Sequence, residues 1–567
     1  MTRTPTGCRT ACLVAMALGL LVATLSSSSS AQQSVDPVSA PVIGGETLLR
    51  GDFVKAIDSL THELDAPGLT NDQRAGLFND RGVAHWRKGD LGAALEDFNK
   101  AATIYPELAA VYSNRGNTLL ALQSPTEAVR DFDRAVLLAP SYAAAYNNRA
   151  IAEVQLDQLD AAIADFSKAA ELAPNAPAPI NGRGKVHLDL NRPYLALRDF
   201  SRAIAIEPSY RPGYRNRALA RLSLHQYAVA IDDLTNALTI APNDPGLLFT
   251  RGLAGIAAQN YPAALADLDK LVAATPKSTA AFAERGHAYA LLGSFPEAMN
   301  DFAKAIELDP KNREAYVHRA EAHLASNEAE LGLADADRAL KIDQRFVAAY
   351  RVRARIEEAL GHKPDAAADF EQAASLDPQD QEAWDGLKRL TGKTQPPVAV
   401  VSSGQLPGWS VVQSGDRLLA HGDKLPELSI PLELIGTDAP QLTGWEEKGA
   451  PYKGIGVLRY LAGQMPAKPA PEAIELAVII DLIHRQVLGI EPYRTGDRAA
   501  SWTWTESGEL LIKGPDGVNS NFRLAESLGM GQRSAGPGAP AQTHKQVANG
   551  PPPHKKKAFT LFDLFFN

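Results

Sequence analysis

Proline recurs every 34 residues, at 106, 140, 174, 208, 242, 276 and 310; Gln344 breaks the series and Pro378 resumes it. Other residue types keep the same phase. Phe or Leu stands at 98, 132, 166, 200, 234, 268, 302 and 370, with Ala336 the exception. Alanine stands at 94, 128, 162, 196, 230, 264, 298 and 366, with Gly332 the exception. Gly or Ala occupies 82, 116, 150, 184, 218, 252, 286, 320 and 354. A fixed period of this length restricts the chain to a stack of like units, because one such unit cannot bury its apolar faces alone.

Within the unit 109–142, Tyr112, Leu119 and Leu120 form one apolar stripe. Ala128, Phe132, Ala135 and Val136 form another at i, i+4, i+7 and i+8, so each unit reads as two amphipathic helices. Breaks at Gln123-Ser124-Pro125 and Ala139-Pro140 separate them, since proline cannot continue a helix interior. Small residues at 116 and 128 let the two helices approach closely.

The ordered set Tyr112, Gly116, Ala128, Phe132, Ala135 and Pro140 resembles the tetratricopeptide repeat family. The resemblance covers nine units over 75–380. It implies a mainly α fold, a right-handed α-α superhelix whose concave side binds other proteins or peptides. Ile180 and Leu248 depart from the pattern by replacing the first aromatic, and the eighth unit is degraded at Gly332, Ala336 and Gln344. Residues 44–74 read as an irregular preceding repeat with four extra residues near Leu64 to Thr70. Gln381 to Leu390, with Trp384, reads as a capping helix that completes a helical domain over 75–392.

Two polar positions recur without exception. Arginine stands at 81, 115, 149, 183, 217, 251, 285, 319 and 353, and aspartate sixteen residues after each. We read these as structural ion pairs, with Arg115, Asp131, Arg149 and Asp165 among the members, each arginine pairing with an aspartate of its own unit or of a neighbour. The residue before each arginine is more varied: Asp80, Asn114, Asn148, Gly182, Asn216, Thr250, Glu284, His318 and Val352. Asn117, Asn147, Asn181, Lys185 and Arg215 add to that face, so asparagine gathers between 109 and 220. An amide both donates and accepts, and can hold a main chain whatever its side chains. The row Asn114, Asn148 and Asn216 resembles the asparagine ladder of O-linked N-acetylglucosamine transferase repeats, which grip extended peptides. Asn147, Lys185 and Arg215 are the residue types of the carboxylate clamp known in this family, without its full pattern. Phe249, Leu253, Ala283 and Val317 make the later units more apolar, suited either to an apolar guest or to superhelical packing.

Outside the array the chemistry changes. Arg3 and Arg9 precede an apolar run from Ala11 to Leu25, and Ser29-Ser30-Ala31 follows, the form of a cleavable signal peptide over 1–31. Cys8 and Cys12, the only cysteines, fall inside it, so a processed chain has no disulfide or thiol site. These features predict a periplasmic or secreted protein. Residues 393–405 read as a linker and 406–528 as a small antiparallel β-rich domain of no recognised family. Its strand signals lie at Trp409 to Gln413, Leu428 to Leu434, Gly454 to Tyr460, Ile474 to Asp481 and Ser501 to Thr505. Trp502 and Trp504 share one strand face, suited to core packing or to a sugar ring. His484, Arg485, Glu491, Arg494, Asp497 and Arg498 cluster in sequence, with nothing to place them around one point. The segment 529–567 has the composition of a disordered tail, yet it ends in Lys555, Lys556 and Lys557 before Phe559 and Phe562, an end suited to an anionic membrane surface or a groove.

The net charge of −9 argues against nucleic-acid partners. The chain contains no G-x-x-x-x-G-K, H-E-x-x-H, G-x-S-x-G or calcium-loop spacing, and His318 and His323, five apart, point to different helix faces. The expectation is a non-catalytic exported scaffold with no cofactor and no metal, of undetermined oligomeric state. The alternative is a β domain that binds or processes cell-envelope carbohydrate, with the array as accessory.

Overall fold

The computed structural model describes residues 52–395, apart from 379, and eleven strands with parts of their connections between 400 and 523. The expected signal peptide, residues 44–51 and the basic, aromatic tail lie outside the described residues. Among those described, no helix is long and apolar enough to cross a membrane.

Helix α1 (Phe53–Leu64) opens the described chain, and nine hairpins follow. They are α2 (Asn71–Lys88) with α3 (Leu91–Ile104), α4 (Ala109–Ala121) with α5 (Pro125–Leu138), α6 (Ala143–Gln155) with α7 (Leu159–Leu172), and α8 (Pro177–Asp189) with α9 (Pro193–Ile206). Next come α10 (Arg211–Ser223) with α11 (Tyr227–Ile240), α12 (Pro245–Ala257) with α13 (Tyr261–Ala274), and α14 (Thr279–Leu291) with α15 (Phe295–Leu308). The last two are α16 (Arg313–Ala325) with α17 (Ala329–Ile342) and α18 (Val347–Ala359) with α19 (Lys363–Leu376), and α20 (Gln381–Thr391) closes the stack. The four extra residues of the first unit do not swell the loop alone. They lengthen α2 by a turn, which starts on a Thr70–Gln73 capping box.

The periodic small residues work as sockets. A Cβ at Gly116 would lie 2.9 Å from the Phe132 ring, and one at Gly184 would lie 2.7 Å from the Phe200 ring. Both rings are fully buried. Each first helix ends on a left-handed residue at the same 34-residue spacing, among them Gln123, Asp157, Asn191, His225, Gln259 and Asn327. That turn releases the chain into the second helix.

Most first helices also touch the first helix of the next unit, and α14 with α16 make the most extensive of these contacts. The first helices therefore form the inner wall. Phe249, Ala283 and Val317 are buried in the cores between units, and Leu253 packs on the same core as Phe249, so these residues serve superhelical packing.

Beyond the stack lie two four-stranded antiparallel sheets and one of three strands. The first runs β1 (Val400–Ser402), β2 (Trp409–Ser414), β3 (Arg417–Gly422) and β4 (Ile430–Leu432) in order. The second runs β5 (Gln441–Glu447), β6 (Ile455–Met465), β7 (Glu472–Asp481) and β8 (Gln486–Tyr493). The third has β10 (Glu509–Lys513) between β9 (Ser501–Trp504) and β11 (Asn519–Arg523). The stretch read as a linker, 393–405, thus contains a strand: Val400 pairs with Val412. The β-branched pair Val400-Val401 prevails there over the neighbouring Ser and Gly.

Val411, Ala420 and Ile430 of the first sheet share one core with Leu458, Tyr460, Val478 and Ile490 of the second. Tyr194 and Leu195 of the helical stack belong to the same core. The two regions are therefore joined through packed side chains at α9.

Candidate functional site

Three groups of polar side chains define what the stack can do, and the first is structural. In all nine units the arginine forks onto the aspartate of its own unit, Nε and Nη2 each donating to one carboxylate oxygen at 2.5–2.9 Å. Arg115–Asp131 and Arg149–Asp165 are two of these. All nine aspartates are only 1–8% exposed, so the forks are desolvated on the acidic side. Nη1 then reaches back to the preceding second helix, to Asn99 from Arg115, Asp133 from Arg149, Ser167 from Arg183 and Asp269 from Arg285. The corresponding position before Arg319 is Ala303, and Arg319 keeps the fork alone. Each arginine thus ties one unit internally and, where the partner exists, to its neighbour.

The second group is the amide row on the inner wall. Asn114 Nδ2 donates to Asn79 Oδ1 at 2.9 Å, and Asn216 Nδ2 donates to Asn181 Oδ1 at 2.9 Å, both across successive first helices. Asn147 Nδ2 donates to its neighbour Asn148 Oδ1 at 3.0 Å. These bonds leave Asn114 Oδ1, Asn148 Nδ2 and both amide atoms of Asn117 buried without a partner. Lys185 is exposed and Arg215 half-buried; among the described residues no hydrogen bond or ion pair joins them to each other or to Asn147.

Glu153, buried on α6, has an unpartnered Oε2. Burial, with Asp165 nearby, pushes its carboxyl up to about 7. Between its ordinary value near 4.5 and about 7 the folded protein holds a proton that the unfolded chain releases. Stability is therefore lost as pH rises through that window. Glu153→Gln is expected to raise the melting temperature above pH 7, by roughly 1–2 kcal/mol of stability once solvent screening is allowed for, and to flatten the slope between pH 5 and 7. Melting curves across that range check it.

The third group is the seam with the sheets. Tyr194 and Leu195 N–H, at the start of α9, donate to Glu433 Oε1 and Oε2 at 2.6 and 2.9 Å. A carboxylate from the sheet region thereby caps a helix 239 residues earlier in sequence, where it also meets the positive end of the helix dipole. Arg198 Nε donates to Glu491 Oε2 at 2.8 Å, with both side chains buried. Tyr460 Oη donates to the Glu433 carbonyl, which fixes the capping residue.

Sequence reasoning missed this seam, although a signal for it exists. The cap position of every other second helix in the nine hairpins holds a side chain able to accept a hydrogen bond (Asp90, Ser124, Gln158, Gln226, Asn260, Ser294, Glu328 and His362), although only Asp90 caps its own helix. Position 192 holds Arg192, which has no acceptor. Tyr194 is likewise the one aromatic among residues 92, 126, 160, 194, 228, 262, 296, 330 and 364.

Of the sequence cluster around residue 491, the structure places Glu491 against Arg198. The β9 backbone pairs Trp502 with Ile512 and Trp504 with Leu510; the two tryptophan side chains lie outside the described residues.

The stacked hairpins, the Gly–Phe sockets and the repeated forks define a solenoid of helical repeats, an architecture that presents an extended surface to other proteins. Three tetratricopeptide repeat models match the sequence, over residues 75–108, 113–177 and 286–327. The chain is a tetratricopeptide repeat protein, with the build of a protein-interaction scaffold. It is similar to a solved tetratricopeptide repeat protein from Parabacteroides merdae (22% identity, 45% of this chain, 100% of that one, TM-score 0.42). It is also similar to yeast Tom70 (17% identity, 61% and 86% covered, TM-score 0.33). A third similar structure is YrrB, described as having an unusual peptide-binding site (23% identity, 33% and 96% covered, TM-score 0.28). No curated protein matches the chain in sequence.

Proposed function

We propose that the chain is an exported, non-catalytic scaffold whose inner wall between 109 and 220 holds extended peptide segments of partner proteins. The observation that carries this reading is the pattern of unpaired amide atoms. Asn114 offers an acceptor, Asn148 a donor and Asn117 one of each along successive first helices. A main chain presents the same alternation of donors and acceptors. A buried amide left unpaired costs about 1–3 kcal/mol; these atoms have almost no accessible surface, so a guest gains that energy by drawing the side chains outward into the groove. Lys185, exposed on the next first helix, adds a positive charge suited to an acidic side chain or a terminal carboxylate. Export rests on the basic, apolar and small-residue order of residues 1–31.

Replacing Asn114, Asn117 and Asn148 together by alanine is expected to weaken capture of partner peptides tenfold or more. Asn114→Ala also removes the bond to Asn79, so peptide affinity is measured by titration on variants whose circular dichroism matches the parent. Unchanged affinity in well-folded variants would remove the amide row from function. Export is checked by the mass of the protein recovered from its host, which should begin at Gln32.

A further inference from the structure

Two units further along the same inner wall the amides give way to a different chemistry. Glu284 and His287 lie on α14, one turn apart, and His318 lies on α16 at the register of Glu284. The two imidazoles stack with centroids 4.0 Å apart and 13° between planes. Glu284 turns onto both of them: Oε2 is 3.8 Å from His287 Nδ1 and Oε1 is 3.8 Å from His318 Nε2. One ligand atom from each of the three residues falls within 4.8 Å of the others. We propose that Glu284, His287 and His318 bind a single divalent cation of the zinc type on the inner wall.

Three observations favour an ion over a plain charge cluster. First, His287 Nδ1 is buried and has no hydrogen-bond partner, although a carboxylate stands 3.8 Å away. That separation is too long for a hydrogen bond. It is only a few tenths of an ångström wider than the gap between two ligand atoms on one zinc, which bonds of about 2.0–2.1 Å set near 3.4 Å. Second, His318 Nδ1 faces Glu321 Oε2 at 3.5 Å. A carboxylate behind the far nitrogen orients a metal-binding imidazole and raises its basicity, leaving Nε2 for the ion. Third, the stack does not need these residues. The same two registers hold Asn148 and Ile151, Gly182 and Lys185, Asn216 and Leu219, and Thr250 and Leu253 in the preceding units, whose hairpins stack without them.

Two nitrogens and one oxygen suit zinc and its neighbours, rather than magnesium or calcium, which take oxygen sets. Three protein ligands leave a fourth position for water or for a group carried by a partner. The ligand side chains are 13–21% exposed, shielded but reachable from the groove.

The test uses the full chain without a histidine tag, stripped with chelator and titrated with Zn²⁺ by calorimetry and with Co²⁺ by visible absorption. One Zn²⁺ per chain is expected, with a Kd of ten micromolar or tighter, and Co²⁺ should show four-coordinate d–d bands. Glu284→Gln, which keeps the shape of the side chain, and His318→Ala should each weaken binding at least tenfold. Glu321→Gln should weaken it by about 10–100-fold without changing the stoichiometry. Glu357, His362 and Asp365 form a second, more exposed group, so His362→Ala should leave binding unchanged. Absence of saturable binding, six-coordinate Co²⁺ alone, or affinity that follows His362 instead of Glu284 and His318 would overturn the proposal. Circular dichroism of each variant separates loss of the site from loss of the fold.

Discussion

Glu491→Ala is expected to loosen the sheets from the helical stack and to lower the stability of the docked form by about 3–5 kcal/mol. The cause is Arg198. Its side chain is 7% exposed and its Nε donates to Glu491 at 2.8 Å, and without that carboxylate the guanidinium keeps its charge in a nearly dry seam with one acceptor fewer. Breaking a buried pair from one side costs more than the pair contributes, because the remaining ion has lost its hydration. The same principle makes a sharper statement about the double replacement. Arg198→Met with Glu491→Leu should recover most of the loss, since Tyr194 and Leu195 already supply an apolar seam. Glu433→Ala should act on the same joint through the helix cap, at about 0.5–2 kcal/mol. Hydrogen exchange over 190–200 reads all three directly. Equal protection in the parent and in Glu491→Ala would show that the pair does not hold the seam.

Asp233→Ala is expected to be about as severe, at ~3–5 kcal/mol. Asp233 is 1% exposed and accepts three bonds, from Arg217 Nε and Nη2 and from Arg221 Nη1. In a solenoid the loss falls on one unit and its two interfaces, so unfolding should become less cooperative, with the units before 211 and after 245 separating. Asp335→Ala is the informative comparison. Asp335 receives the fork of Arg319, the arginine whose backward partner is replaced by Ala303, and its removal should cost less. Denaturant curves for the two variants, with m-values, check both the ranking and the loss of cooperativity. Equal losses would mean that neither the third bond from Arg221 nor the link from Arg217 to Ser201 contributes measurably.

The helical part was legible because its determinants are local. A hairpin is set by residues within 34 positions, and each signal repeats in phase, so the two helices of a unit, the small residues between them and the ion-pair positions could be read from spacing; that Gly116 meets Phe132 and that Arg115 takes the aspartate of its own unit needed the structure. The sheets were legible in part. The strand signals at Trp409 to Gln413, Leu428 to Leu434, Gly454 to Tyr460, Ile474 to Asp481 and Ser501 to Thr505 correspond to β2, β4, β6, β7 and β9, whereas β1, β3, β5, β8 and β11 were missed. Gln441–Glu447 and Gln486–Tyr493 mix charged, Gly and Pro residues with apolar ones, and pairing with β6 and β7 settles their conformation.

The candidate site residues were less legible than either. A row of asparagines was visible, but which amide bonds to which depends on distances between neighbouring helices. The Glu284, His287 and His318 group was hidden for a related reason. His318 was weighed against His323 on its own helix, while its ring neighbour sits one unit back. The seam was hidden because its two halves are 239 residues apart.

That return contact has a mechanical consequence. An open stack of hairpins behaves as a spring, each coil yielding slightly against the next. Here the polypeptide leaves the last coil and comes back to clasp the fourth, so the fifth to ninth coils sit inside a closed bracket. Tension on the molecule would be borne unevenly: the bracketed half is stiff, and the compliance is concentrated in the leading coils. The asparagine row lies largely in that supple portion and the His–Glu group in the braced one.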